Sequence, residues 1–252
     1  CSSDLTYETI HEAYLETLND VYFHYDYKTS PRGLPIREKL DYTFKVMSPT
    51  AEPIRTRDPE RNKTIADYTR KEVELYNSCT NQAADFAKAS KFWEKIANPD
   101  GTVNSAYGYL IWKNPSNGNE YYEHDERGLG IYRTPWEWAK QSLIQDKNTR
   151  QAILRFSLPE HAYQGVKDFT CTMHGNFLIR NDKLHFSVVM RSNDLWLGLT
   201  YDLPWFISLM DKMVEELKLN YPNLEKGSYT HTVHSLHLYE RDEEKIKKAL
   251  DL

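Results

Sequence analysis

Residues 168–202 constrain the fold more than any other stretch of the chain. They hold Cys171 inside a predicted strand, then Asn181-Asp182, a second strand, and Arg191-Ser192-Asn193-Asp194 leading to a lone acid, Asp202. Residues 169–180 and 184–190 alternate apolar and polar side chains. Two turn-forming residues between such runs predict a tight β-hairpin. Directly behind it, residues 203–219 carry Phe206, Leu209, Met210, Met213, Val214 and Leu217 at helical spacing. Aromatic and Met residues with that period form a core stripe rather than a cofactor box.

The rest of the chain must supply what packs on this hairpin and helix. Residues 6–19 read as an amphipathic helix with Ile10, Ala13, Tyr14 and Leu18 on one face and Ser3 or Asp4 as N-cap. The polar, proline-bearing residues 28–39 read as a loop. Residues 40–46 form a strand with Leu40, Tyr42, Phe44 and Val46 on one face. A charged, proline-rich insertion over 48–63 precedes helices at 65–78 and 81–88 and a short one opening at Phe92-Trp93. Asp100-Gly101 marks a turn, and the glycine-bearing residues 117–120 and 126–128 mark loops. Pro135–Gln145 is a helix with Thr134 as N-cap and proline at its first position. Residues 151–156 and 230–239 are strands, and a short charged helix follows Asp242. Helices gathered early and long strands late argue for an α+β fold with one mixed sheet, in a single domain over residues 1–252.

At 252 residues the chain can bury a sizeable core. Its 37 acidic and 32 basic residues leave a net charge of -5, against a protein that coats nucleic acid. Three dispersed cysteines, Cys1, Cys79 and Cys171, fit a reducing compartment better than a disulfide framework. No apolar run approaches the roughly 18 residues of a membrane span, and no leader pattern opens the chain. These features predict a soluble intracellular protein, with Cys1-Ser2-Ser3 as a processing remnant.

The chemistry-bearing residues each have two readings. Cys171 is either a small buried hydrophobe or a nucleophile, and Arg191 on the following strand would favour its thiolate. Arg191-Ser192 offers a planar donor fork and a hydroxyl, suited to a phosphate. Asp194 and Asp202 fit helix N-caps. His231 and His237 share one strand face while His234 takes the other, so a single metal cluster is not expected.

These residues resemble the thymidylate synthase family. The family pattern of a catalytic Cys, then Arg-Ser-x-Asp, then Leu-Gly falls at Cys171, Arg191-Ser192-Asn193-Asp194 and Leu197-Gly198. Its glutamate-bearing helix looks like Lys71-Glu72-Val73-Glu74-Leu75-Tyr76, and Trp93 fits its Ile-Trp position. Tyr107-Gly108 with Trp112 and His237-Leu238-Tyr239 match two further motifs, in order from about residue 70 to 240. Within the family the chain is similar to the phage-type deoxycytidylate hydroxymethyltransferases. Asp202 stands where a uracil-reading Asn is usual, Met190 precedes Arg191 in place of Gln, and Thr172 follows the cysteine.

The resemblance implies a folate-dependent one-carbon transfer to carbon 5 of a pyrimidine nucleoside monophosphate, with 5,10-methylenetetrahydrofolate as co-substrate and no metal. Cys171 would be the nucleophile, Glu72 would order a water and relay protons, and Tyr107 would assist proton removal. Arg191, Ser192 and Arg150 would hold phosphate, His237 and Tyr239 the sugar hydroxyl, and Asp202 the base. Trp93, Asp194 and Gly198 would line the folate site. A homodimer packed sheet to sheet is implied, with Arg150 delivered to the other subunit. The implied product is 5-hydroxymethyl-dCMP for phage DNA, made in the host cytoplasm. Methylation of dCMP, thymidylate synthesis and a non-catalytic nucleotide-binding role are the competing expectations. The family's second phosphate arginine is Gln151 here, leaving Arg32 as a candidate replacement. The last residue, Leu252, leaves no tail to close over folate, which leans toward water capture.

Overall fold

The computed structural model describes residues 5–113 and 134–252. Cys1, the expected cap at Ser3 or Asp4, and the loops at 117–120 and 126–128 lie outside the described residues. In chain order the elements are β1 (Leu5–Tyr7), α1 (Ile10–His24), β2 (Tyr27–Thr29), β3 (Ile36–Val46), α2 (Pro59–Ser78), α3 (Ala83–Phe86), α4 (Phe92–Ile96) and α5 (Tyr107–Trp112). There follow α6 (Pro135–Gln145), β4 (Ile153–Arg155), β5 (Thr172–Arg180), β6 (Lys183–Met190), β7 (Asn193–Asp194), α7 (Leu199–Leu217), β8 (Glu225–Tyr239) and α8 (Glu243–Leu250). They divide into two compact units, one of residues 1–70 with 182–252 and one of residues 71–181. Among the described residues no helix is long and apolar enough to cross a membrane.

The first unit is a mixed sheet with helices against it. β3 pairs antiparallel with β8 and parallel with β1, and β8 pairs parallel with β6 and β7. Helices α1 and α7 pack on these strands. The stripe predicted for the long helix lies inside, with Phe206, Met210, Met213 and Leu217 fully buried, as are Phe186, Val188 and Val233 of the strands it packs on. His231 belongs to this core. It lies beside Phe44 and Phe206 and shares a 2.8 Å hydrogen bond with Tyr229, and burial pushes its pKa down to about 3.

Several expected boundaries move, each for a local reason. The first helix begins at Ile10 because Thr9 caps it, accepting from the Glu12 N–H at 3.2 Å while the Glu12 carboxylate accepts from the Glu8 N–H at 2.9 Å. Residues 5–7 are a strand, and the buried positions Ile10, Ala13, Tyr14 and Leu18 are as expected. The supposed loop over 28–39 holds most of β2, a turn at Pro31–Gly33 and the start of β3, whose polar side chains accompany a fully paired backbone. Leu40 is 48 % exposed, unlike Tyr42, Phe44 and Val46. The adjoining Asp41 has φ of 50°, which breaks the alternation there. Helix α2 starts at Pro59 within the supposed insertion. Asp58 accepts from the Glu60 N–H at 3.0 Å and proline takes the first helical position.

The second unit holds α3–α6 and the antiparallel pair β4–β5, with Ile153 opposite Asn176 and Arg155 opposite His174. Helix α6 has its predicted bounds, and Thr134 caps it by accepting from the Glu137 N–H at 3.2 Å. The predicted turn at Asn181-Asp182 lies between the ends of β5 and β6, and both residues have positive φ, 50° and 56°. That is the backbone of a tight hairpin turn.

Candidate active site

In the second unit, Cys171 occupies a bend one residue before β5 rather than a place inside a strand. Its side chain is a partly exposed thiol outside any disulfide, between the fully buried Thr170 and Thr172. Its lead-in is fixed by Asp168, a buried carboxylate that accepts from the Ser105 N–H at 2.8 Å and from the Ser105 hydroxyl. Asn104 donates to the Asp168 carbonyl at 2.8 Å. This clamp ties the approach to Cys171 to the residues just ahead of Tyr107.

Tyr107 opens α5 and is buried beside two aromatic neighbours. Its ring stacks on Tyr76 at 5.3 Å and meets Phe156 edge-on at 5.3 Å. Tyr76 in turn meets Phe86, which packs on Trp93 at 4.9 Å. Gly108 makes the approach possible, since a Cβ there would lie 1.8 Å from the Tyr76 carbonyl oxygen. Glu72 is buried one helical turn before Tyr76 and therefore on the same face of α2. The Phe156 N–H donates to the Met173 carbonyl at 3.1 Å, two residues from the thiol. Trp93 and Tyr107 thus belong to one aromatic cluster, with Glu72 a helical turn from its Tyr76 and Cys171 two residues from the strand backbone that pairs with its Phe156. Arg150 does not join it: it is exposed between α6 and β4. A cleft of about 460 Å³ in this unit is lined by residues such as Asn98, Asn104, His161 and Tyr163, and by none of the predicted site residues.

In the first unit, Asp194, Gly198, Asp202, His237 and Tyr239 converge where β7 lies beside β8 and α7 begins. Asp194 is paired in register with His237, whose ring meets Tyr239 edge-on at 5.2 Å. The Asp194 carboxylate accepts from the Trp196 N–H at 2.8 Å and the Leu197 N–H at 3.3 Å. Burial raises its pKa, while His237 and these two N–H groups oppose the rise. Gly198 is required by close approach, because a Cβ would sit 2.8 Å from the Asp194 carbonyl oxygen and 3.4 Å from Asp202 Oδ2. Arg191 and Ser192 are half-buried just before β7.

Asp202 is not a helix N-cap. Its N–H donates to the Gly198 carbonyl at 3.0 Å, so it lies within the first turn of α7. Its carboxyl accepts from Asn193 Nδ2 at 2.6 Å. Burial pushes its pKa up to about 7, with Asn193 opposing and Asp194 adding to the rise.

The histidine arrangement also differs in its cause. Burial along β8 falls on Tyr229, His231 and Val233, then passes to Leu236 and Leu238, opposite the break at Asp41. His231 is therefore a core residue and His237 lies beside Asp194, although simple alternation assigned them one face. Arg32 lies exposed with φ of 52° in the turn at Pro31–Gly33.

Two positioning residues had little signal in the sequence. Arg61 donates to the Trp196 carbonyl at 2.5 Å and the Tyr201 hydroxyl at 3.2 Å, with its guanidinium 4.3 Å from the Trp196 ring centroid. It thereby buttresses the turn that carries Asp194, yet it comes from a segment whose composition reads as loop. Asn193 stands inside the Arg-Ser-x-Asp run at its variable position.

Comparisons with known proteins agree with these motifs. A family model described as thymidylate synthase matches residues 12–251. A deoxycytidylate 5-hydroxymethyltransferase of Enterobacteria phage T6 is 30% identical over 182 residues, 69% of this chain and 68% of that protein. A deoxyuridylate hydroxymethyltransferase of Bacillus phage SP01 is 29% identical over 141 residues, 54% of this chain and 33% of that protein. The solved thermostable thymidylate synthase A of Bacillus subtilis shares the fold with a TM-score of 0.68, at 16% identity, over 96% of this chain and 84% of that one. With the cysteine at its bend, the Asp194–Gly198 turn beside His237, and nearly the whole chain matched, the protein belongs to the thymidylate synthase family.

Proposed function

We propose that the protein is a deoxycytidylate 5-hydroxymethyltransferase and that its two units act as one catalytic domain. The observation that carries this reading is Asp202, a carboxyl in a desolvated position with a pKa near neutrality. Cytosine presents a ring nitrogen that needs a proton as carbon 6 is attacked and an exocyclic amino group that needs an acceptor. A carboxylic acid supplies both, donating from one oxygen and accepting at the other. An amide there suits uracil instead. An acid with a pKa near the working pH is also suited to give that proton during the reaction.

The chemistry assigned to the chain's residues follows. The Cys171 thiolate adds to carbon 6, turning carbon 5 into an enamine-like nucleophile, the general benefit of covalent catalysis. Asp202 protonates the ring nitrogen. Methylenetetrahydrofolate supplies the one-carbon unit. Asp194, a half-buried acceptor, and the flat apolar Trp93 fit a fused heteroaromatic ring bearing N–H donors. Tyr107 assists loss of the carbon-5 proton. Glu72 orders the water that adds to the exocyclic methylene before the Cys171 thiolate leaves. Arg191 and Ser192 hold the phosphate, His237 and Tyr239 the sugar hydroxyl. Arg150 is assigned to the phosphate of the partner subunit in a homodimer, in keeping with its exposure.

The test is turnover of dCMP, dUMP and CMP with methylenetetrahydrofolate, followed by product mass. Hydroxymethylated dCMP with tetrahydrofolate left behind is expected. Dihydrofolate formation would sink the hydroxymethyl reading, because it marks reductive methylation. Tritium release from 5-tritiated dCMP, abolished in Cys171→Ser, is the expected sign of the covalent step, and its persistence would exclude Cys171 as nucleophile.

A further inference from the structure

Asn193 carries more constraint than a variable motif position should. It is 3 % exposed, and its Nδ2 lies 2.6 Å from Asp202 Oδ2 and 3.0 Å from the Met190 sulfur. The Met190 sulfur is an acceptor, and so is Asp202 when ionised, which favours the amide orientation that turns Nδ2 toward both. Asn193 Oδ1 is then buried with no hydrogen-bond partner among the described residues. A buried carbonyl left unpaired is costly, and a donor that arrives with the base would relieve that cost.

We infer that Asn193 is a specificity-determining partner of Asp202: its N–H fixes the acid, and its carbonyl oxygen accepts from the exocyclic amino group of the base. The inference rests on the assignment of Asp202 to the base. Clamped at Oδ2 by Asn193, and with the Gly198 backbone packed on the same side, the acid cannot turn freely. The amide–acid pair then presents one exchangeable proton to the ring nitrogen and acceptors to the amino group. Uracil, with a carbonyl in place of the amino group, would meet those acceptors with an acceptor of its own. The groups facing Asp202 from other strands are Asp194 on β7 and Tyr229 on β8. Neither donates a charge-stabilising bond to it, so Asn193 alone among them favours the ionised acid.

The experiment compares wild type, Asn193→Ala and Asn193→Ser as full chains, by dissociation constants for dCMP and dUMP and by the pH profile of kcat/KM for dCMP. Asn193→Ala is expected to lower the preference for dCMP by about 10-fold or more and to move the alkaline limb upward. Asn193→Ser, whose hydroxyl can still reach toward the acid but not the base, should fall between the two. A wild-type preference and an unmoved limb in Asn193→Ala overturn the inference. If that variant does not fold, a wild-type preference in Asn193→Ser overturns it equally. Asp202→Asn, measured alongside, separates the two levels: an unchanged base preference there defeats the assignment of Asp202 itself, whereas a switched preference with an indifferent Asn193 defeats only the role given to the amide.

Discussion

At the scale of the residue, the chemical role proposed for Asp202 goes with a stability cost. Its pKa is pushed up to about 7 in the folded chain by burial, against an unfolded value of about 3.9. The folded state therefore binds more protons than the unfolded state between about pH 4 and pH 7, so stability falls as pH rises through that window. Asp202→Asn carries no such penalty and can keep a bond with Asn193. It should raise folding stability by roughly 2–4 kcal/mol at pH 8, with the gain shrinking toward pH 4. Denaturant melts of both proteins at the two pH values test this, and an equal difference at both would remove the buried-acid account. A destabilising functional group of this kind is what a site selected for chemistry rather than stability displays.

At the scale of the element, the close contact of α5 with α2 is set by one hydrogen atom. A Cβ on Gly108 would fall 1.8 Å from the Tyr76 carbonyl oxygen, a backbone atom that cannot swing aside. Gly108→Ala should cost about 3 kcal/mol or more through overpacking. It should also lower kcat by displacing Tyr107, while Gly101→Ala, which meets open space at a turn, should cost less and leave kcat near wild type. Melting curves and initial rates of the two variants check the contrast. This contact also shows what could be read from the sequence. Helix α6 was legible because Thr134, Pro135 and Glu137 form a self-contained start signal. The Tyr-Gly pair could be recognised only through resemblance, because the need for glycine arises from a helix some thirty residues away. The start of α7 was misplaced for a related reason: Gly198 offers no capping side chain and Pro204 reads as a first helical residue, although it sits within the helix. From the sequence, Asp202 therefore reads as a possible cap. Strand β1 left no local signal at all, being three residues long and defined by its parallel pairing with β3.

At the scale of the whole molecule, the proposal made for Arg150 asks an exposed arginine to hold a phosphate. Arg150 stands exposed between α6 and β4. In a two-fold symmetric dimer each chain would give its Arg150 to the other, so the two sites are made of residues from both chains. That arrangement has a distinctive consequence. Cys171→Ser and Arg150→Ala should each be inactive, or nearly so, as pure proteins. Mixed after reversible dissociation, they should form heterodimers in which one site combines the intact Cys171 of one chain with the intact Arg150 of the other. Random pairing makes half the dimers mixed, each with one good site of two, so about a quarter of wild-type activity should return. If Arg150 served its own chain, every site in the mixture would lack one of the two residues and no activity would return. The regain must also vanish when both substitutions are placed on the same chain and mixed with either single variant, since no site would then draw both residues intact.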